Sequence, residues 1–300
     1  MRMGLAPIAL FVYNRPEHAR KTIEALAKNK YAIDSVLHVF SDAPRSPADI
    51  PAVAAVREHL AEISGFKRIE IHEQNENLGL ALSIINGVSS LCSKYGKVIV
   101  LEDDLETSPY FLTFMNEALD FYEHTPEVMH VSGFRYPAKS FENEETFFLH
   151  VPLCWGWATW GRAWDSYRKD LALMSQFDKR AIDRFNFGNN YPFWLQLELN
   201  KSQKIDTWFI FWYANLFLRG GLALFPARSL VQNIGMDNSG TNSGFSENYH
   251  VQLSTTPIRL TRIALVEDAL GFEYHCQYFK KIHLSIFKRI VGKIRSTLKI

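Results

Sequence analysis

Lys97-Val98-Ile99-Val100-Leu101 runs directly into Glu102-Asp103-Asp104-Leu105, and the reading of that junction decides the fold. A short apolar run bounded by polar residues predicts a buried strand of the kind found inside parallel sheets. The carboxylates at its end stand near a low-dielectric core, where ionised groups must be paired, solvated or bound to a metal. Oxygen ligands of this kind suit Mg²⁺ or Mn²⁺, and those ions suit a phosphate-bearing substrate. The competing reading is an acidic strand end that faces water. The flanking sequence must decide between them.

Upstream, strand and helix signals alternate. Ile8 to Tyr13 predicts a buried strand, and Asn14-Arg15-Pro16-Glu17 then opens a helix over His18–Lys28. Asn14 can cap that helix, Pro16 fits its first turn, and Glu17 favours its positive end. Ser35–Phe40 is a second strand, ending in Ser41-Asp42 and a loop with Pro44, Pro47 and Pro51. Val53–Ile63 reads as a helix, Lys67–His72 as a third strand and Leu78–Ser93 as a third helix; Val98–Leu101 is the fourth strand. Repeated strand-loop-helix units predict a largely parallel sheet with helices on both faces. Ligands of such sheets bind beyond the C-terminal strand ends. Asn14, Asp42 and Glu102 to Asp104 all fall at such ends, so three elements direct polar groups into one crevice. The glycines form neither G-x-G-x-x-G nor a Walker A loop, which weighs against a dinucleotide-dependent dehydrogenase or a P-loop enzyme.

Downstream, Pro109–Tyr122 predicts a helix and Val128–Ser132 a strand. All seven Trp lie between 155 and 212. Cys154-Trp-Gly-Trp-Ala-Thr-Trp-Gly-Arg-Ala-Trp164 combines large aromatic faces with a close-approach glycine at Gly156. Each Trp taken alone reads as core, while the cluster leaves one or two for a substrate wall. Residues 166–200 read as an aromatic connector and helix, mobile or inserted. A strand near Leu222–Phe225 is followed by the polar, glycine-rich Asn233–Phe245, read either as a cover over bound phosphate or as a plain surface loop. Arg15, Arg162 and Arg219 can each add charge to phosphates, with a structural salt bridge as the alternative for each.

With 300 residues, 47% apolar and 22% charged, the chain can bury a full core. Three cysteines without C-x-x-C spacing predict no disulfide framework and a reducing compartment. Met1 to Pro7 is too short and mixed for a signal core, and no stretch reaches the roughly 18 apolar residues of a membrane span. The net charge of +1 hides an asymmetry, because Phe279 to Ile300 carries seven Lys or Arg and no acid. With apolar residues every three or four positions, residues 279–300 read as a basic amphipathic helix. It suits an anionic membrane surface, a partner protein or the body of the domain. The acidic remainder argues against nucleic acid. The expected location is cytoplasmic, peripheral on the inner face of the membrane.

Asn14-Arg-Pro16 after the first strand, Asp42 after the second, Glu102-Asp-Asp-Leu105 with Pro109-Tyr-Phe111, and the Gly/Trp segment together resemble the GT-A-fold glycosyltransferases. Within these the chain is similar to the β-1,2-N-acetylglucosaminyltransferase I type and to related bacterial polysaccharide-cluster transferases. Similarity is clearest over residues 7–165 and resumes more weakly from Asp206 to about Thr241. The resemblance implies an α/β fold of the GT-A (Rossmann-like) kind, three layers α/β/α, with a mixed, mainly parallel central sheet and a C-terminal helical extension. It implies a single catalytic domain over 1–278, with a nucleotide-binding half (1–110) and an acceptor half (111–278).

Carried onto this sequence, the family's metal ligand falls on Asp104, with Mn²⁺ or Mg²⁺ as the ion. Glu102 and Asp103 fall where ribose or metal-bound water is held. Asp42 lies at the base-contacting position, and Asn14 and Arg15 lie near the nucleotide. The catalytic base falls on Asp206 in Ile205-Asp-Thr-Trp208, where an extra residue before the Trp departs from the family pattern. Glu198 is its rival. The implied reaction moves a sugar from a nucleotide-diphosphate sugar, UDP-linked donors included, to a hydroxyl of a glycan or lipid-linked acceptor, with inversion. A metal-dependent nucleotidyl or phosphoryl transferase and a catalytically silent sugar-binding scaffold are the alternatives.

Overall fold

A computed structural model describes residues 4–138, 145–237 and 247–282. In chain order its elements begin with β1 (Ile8–Val12), α1 (Pro16–Ala27), β2 (Val36–Ser41), α2 (Ile50–Leu60), β3 (Arg68–Glu73), α3 (Gly79–Tyr95) and β4 (Lys97–Glu102). They continue with β5 (Leu105–Thr107), α4 (Phe111–Phe121), β6 (Val128–Ser132), β7 (Thr146–Leu149), β8 (Trp157–Trp160) and α5 (Gly161–Trp164). Next come α6 (Lys179–Phe185), α7 (Phe193–Lys201), α8 (Phe209–Leu218), β9 (Leu222–Pro226) and β10 (Val231–Asn233). Residues 269–282 form a further helix, α9.

Eight strands make one sheet in the order β3-β2-β1-β4-β8-β6-β9-β7. β3, β2, β1 and β4 run parallel; β8 is antiparallel to β4 and β6, β6 and β9 are parallel, and β7 is antiparallel to β9. The sheet is therefore mixed and mainly parallel, flanked by helices, as an α/β fold requires. β1 and β6 are buried at every position, which is why they read as continuous apolar runs with no alternation. Register sets the working edge. Phe11 of β1 pairs with Phe40 on one side and Glu102 on the other, so the ends of β2, β1 and β4 finish level.

Several local expectations change. Asn14 does not cap α1: Arg15 holds the N-cap position with no side-chain cap bond, and Asn14 Nδ2 instead donates to Asp49 Oδ1 at 3.0 Å. β5, β7, β8 and β10 are strands that the sequence did not announce. β8 lies within the Trp segment and is buried throughout, so it carries no alternation to read.

Residues 166–200 are no loose insert. Phe177, Phe185 and Phe193 are buried there, with Phe185 stacked on Tyr213 at 4.0 Å. Trp157, Trp160, Trp164, Trp208 and Trp212 are core. Their packing is matched by polar satisfaction: the Trp160, Trp164 and Trp212 indole N–H groups donate to Leu119 O, Ser89 Oγ and His130 Nδ1. Arg162 is structural, donating to the carbonyls of Glu123, Tyr122 and Val128 and lying over the Trp160 ring.

Gly156 is the close approach expected of it. Its φ is +63°, and a Cβ there would meet Val231 Cγ2 at 2.6 Å. All three cysteines are free. Among the described residues no helix is long and apolar enough to cross a membrane. The C-terminal helix begins earlier than the basic stretch, and its Phe279 is fully buried against Tyr136, Phe187 and Tyr191. Ile282, where the apolar stripe begins, is buried as well. The rest of the basic segment, 283–300, lies outside the described residues.

Candidate active site

The level strand ends open into a cavity of about 530 Å³. The end of β1 supplies Tyr13, Asn14 and Arg15; the end of β2 supplies Asp42; the end of β4 supplies Glu102, Asp103 and Asp104. The convergence expected from three separate strands is present. Trp155, Asn233, Met236 and Asp206 complete the wall from the second half of the chain.

The carboxylate turn is held from beneath by α1. Thr22 Oγ1, fully buried, donates to Asp103 O at 2.8 Å and accepts from the Leu105 N–H at 3.1 Å. Tyr13 N–H donates to Asp103 Oδ2 at 3.2 Å. Arg15 Nη1 contacts Asp104 Oδ2 at 2.9 Å, with both side chains about 15% exposed. The Arg15 guanidinium thus faces the three carboxylates of the turn and, at 3.9 Å, that of Asp237. Burial first, then the charges of Asp104 and Asp103, push the Glu102 carboxyl well above its usual range, against the pull of Arg15. Burial and Asp104 push Asp103 up to about 7, opposed by Arg15 and the Tyr13 N–H. The local surplus of negative charge is the physical signature of the site.

Asp42 lines the same cavity but is occupied. Its carboxylate accepts from the N–H groups of Ala43, Leu78 and Gly79 and from Asn77 Nδ2, all at 2.9 to 3.1 Å. It ties the end of β2 to the start of α3. Asn77 and Gly79 are wall residues that sequence reasoning missed; a short polar loop ahead of a helix was the available signal.

A ribbon covers the turn. β10 pairs antiparallel with β5, and Ile234 N–H donates to Asp104 O at 2.8 Å. Gly235 lies directly against Asp104 and Arg15, where a Cβ would collide with both. His18 Nε2 and Asp237 Oδ2 are 3.2 Å apart at the edge of this cover. The glycine-rich segment is therefore a cover as far as residue 237, and 238–246 lies outside the described residues.

Asp206 lines the cavity and also a neighbouring groove of about 710 Å³ that includes Lys169, Lys204 and Phe211. Its side chain is 76% exposed and ion-paired with Lys169. Glu198 sits on α7, accepts from Trp194 Nε1 at 3.1 Å, and is outside the cavity wall. Of the two candidate bases, only Asp206 lines the cavity that holds the carboxylates. Of the seven Trp, Trp155 alone lines the cavity, braced by Phe134 at 4.6 Å and Tyr249 at 5.6 Å. Of the three arginines, Arg15 alone reaches it, although Arg45 lines it as well.

No family model matches the chain, and no curated protein matches it. Among solved structures, S. aureus TarS matches 47% of this chain at 13% identity and a TM-score of 0.30. The chain spans only about a quarter, 24%, of TarS. The mannosyltransferase PcManGT from Pyrobaculum calidifontis, in complex with GDP-Man and Mn²⁺, matches 71% of this chain and 68% of its own, at 11% identity and a TM-score of 0.36. A Desulfovibrio desulfuricans G20 protein assigned as a nucleotide-diphospho-sugar transferase matches 56% of this chain and 69% of its own, at 12% identity and a TM-score of 0.33. The second and third of these neighbours are sugar transferases by name.

Proposed function

We propose that the protein transfers a sugar from a nucleotide-diphosphate sugar to a hydroxyl of a glycan or lipid-linked acceptor, with inversion at the donor carbon. The observation that carries this reading is that Asp206 and the Glu102-Asp103-Asp104 turn, far apart in sequence, line one cavity. The motif resemblance assigns the same residues to one reaction.

By the motif resemblance Asp104 would hold a hard divalent cation, Mn²⁺ or Mg²⁺, through oxygen, with Glu102 and Asp103 placed for ribose or metal-bound water. When bound, such an ion offsets the charge that develops on a departing diphosphate. Arg15 adds a fixed positive charge on the same wall. Trp155 offers an aromatic surface to the donor. Asp42, with both oxygens engaged, contributes by holding the Asn77–Gly79 wall in place.

Asp206 acts as general base. As the acceptor oxygen attacks the donor carbon, its proton passes to the Asp206 carboxylate and the carbon–phosphate oxygen bond breaks, releasing the nucleoside diphosphate. A base on the side opposite the leaving group gives inversion. The groove shared by Asp206, Lys169 and Lys204 is the acceptor's approach, which makes residues 111–278 the acceptor half and 1–110 the donor half.

The test is a panel of sugar nucleotides incubated with and without Mn²⁺, followed by nucleotide analysis. Wild-type protein is expected to release nucleoside diphosphate only with the ion, and Asp104→Ala to lose about 100-fold or more in turnover. Near-normal activity of Asp104→Ala with an unchanged metal titration rejects the reading. Release of nucleoside monophosphate instead marks a nucleotidyl or phosphoryl transferase.

A further inference from the structure

Away from the cavity wall, β2 and its edge neighbour β3 bring three metal-ligating side chains together. His38 and Glu70 are register partners, and so are Phe40 and His72. Alternation along each strand therefore puts His38, Phe40, Glu70 and His72 on one face. His38 Nδ1 lies 3.1 Å from His72 Nε2 and 3.2 Å from Glu70 Oε2. All three donor atoms fall within 4.8 Å of one another.

We propose that His38 Nδ1, His72 Nε2 and Glu70 Oε2 form a metal site that takes a borderline divalent ion of the Zn²⁺ class, separate from the carboxylate turn. Two imidazoles and one carboxylate are a zinc-type donor set, whereas the all-oxygen turn suits harder ions. Donors bonded at roughly 2.0–2.2 Å to one ion stand about 3.0–3.5 Å apart. The two short separations here already match that spacing.

The surroundings orient the ligands. Arg68 Nη2 holds the other oxygen of Glu70 at 2.7 Å. Phe40 stacks on His72 at 4.7 Å, and Tyr95 packs edge-on against His38 at 5.7 Å. Such outer contacts fix ligand geometry. His38 is buried. Glu70 and His72 are partly exposed, which leaves an entry path and room for water as a further ligand. The ion would tie the edge strand β3 to β2, across one wall of Phe40 from the cavity.

Because the carboxylate turn can also take up zinc, the count is made on full-length Asp104→Ala protein. It is loaded with ZnCl₂, dialysed against metal-free buffer and assayed for bound metal; Co²⁺ loading is followed by its visible absorption. One zinc per chain is expected, with visible cobalt bands from imidazole ligation. Adding His72→Ala should bring both to background, and adding Glu70→Gln should weaken zinc binding about tenfold or more. If His72→Ala loses its circular dichroism, the shape-conserving Glu70→Gln decides alone. Equal zinc content with and without these substitutions, or none retained by Asp104→Ala itself, overturns the proposal.

Discussion

At the scale of single residues, Asp206 and Gly235 carry the sharpest consequences. Asp206 is the only candidate base on the cavity wall, and it touches the groove as well. Asp206→Asn keeps the shape but cannot accept a proton. It is expected to cut turnover about 100-fold or more while leaving donor affinity within a few-fold. Steady-state kinetics alongside donor titration separates the two, and a loss confined to donor affinity contradicts the base role. Gly235 makes room for the Asp104–Arg15 pair, so Gly235→Ala should displace one of them. The expected result is weaker metal-dependent donor binding in a folded protein, seen by calorimetry; unchanged binding would show that the cover yields easily.

These residues differ in how far sequence exposed them. The carboxylate turn was legible because charge at the end of an apolar run is costly anywhere else. Asp206 followed from motif resemblance, and Glu198 stood beside it until tertiary structure separated them. Thr22, Asn77 and the engaged state of Asp42 were hidden. Their importance lies in long-range hydrogen bonds, which leave no periodic trace.

At the scale of elements, the β1 to β4 half was readable to within three residues because strand and helix periods alternate with clear turn signals. The later strands were not. β8 is aromatic and fully buried, and β5 and β10 are three residues each, too short for a period to register. The Trp segment shows the same limit. Indoles packed in a core and an indole on a cavity wall have one sequence signature, and only Trp155 proves to be the latter.

The element that positions the acidic turn is α1, acting through Thr22 at both the Asp103 carbonyl and the Leu105 amide. Thr22→Val preserves volume and removes both bonds. It should cost about 1–3 kcal/mol, measured as a lower urea midpoint with an unchanged slope. Activity should fall beyond the loss of folded protein, because the turn is no longer fixed. Stability equal to wild type would assign the hold to the β5–β10 ribbon instead.

At the scale of the whole molecule, the buried carboxylates link stability to pH and metal. Glu102 and Asp103 have folded-state pKa values raised above their unfolded ones, Asp103 to about 7. The folded chain therefore binds more protons than the unfolded one between roughly pH 4 and 7. The Asp103 contribution is complete below pH 4 and is lost as pH rises through about 7, and Glu102 acts in the same direction. Metal-free protein should show a melting temperature that falls over this window, with Asp103→Asn flattening the fall. Mn²⁺ should raise the melting temperature most at the upper end, since the ion binds the ionised form. A melting curve independent of pH in wild type and variant alike would rule out this linkage.

The β5–β10 ribbon has a consequence for how the protein comes to be made. The carboxylates emerge from the ribosome early, on β4, but the strand that roofs them appears only after β9, when most of the chain has been synthesised. A nascent chain thus carries an open acidic notch that can meet ions but lacks Asn233, Met236 and Asp206. The cavity wall is complete only once Met236 has been made. A chain cut short before Val231 would retain its acids and Asp206 yet lack Asn233 and Met236 from the wall.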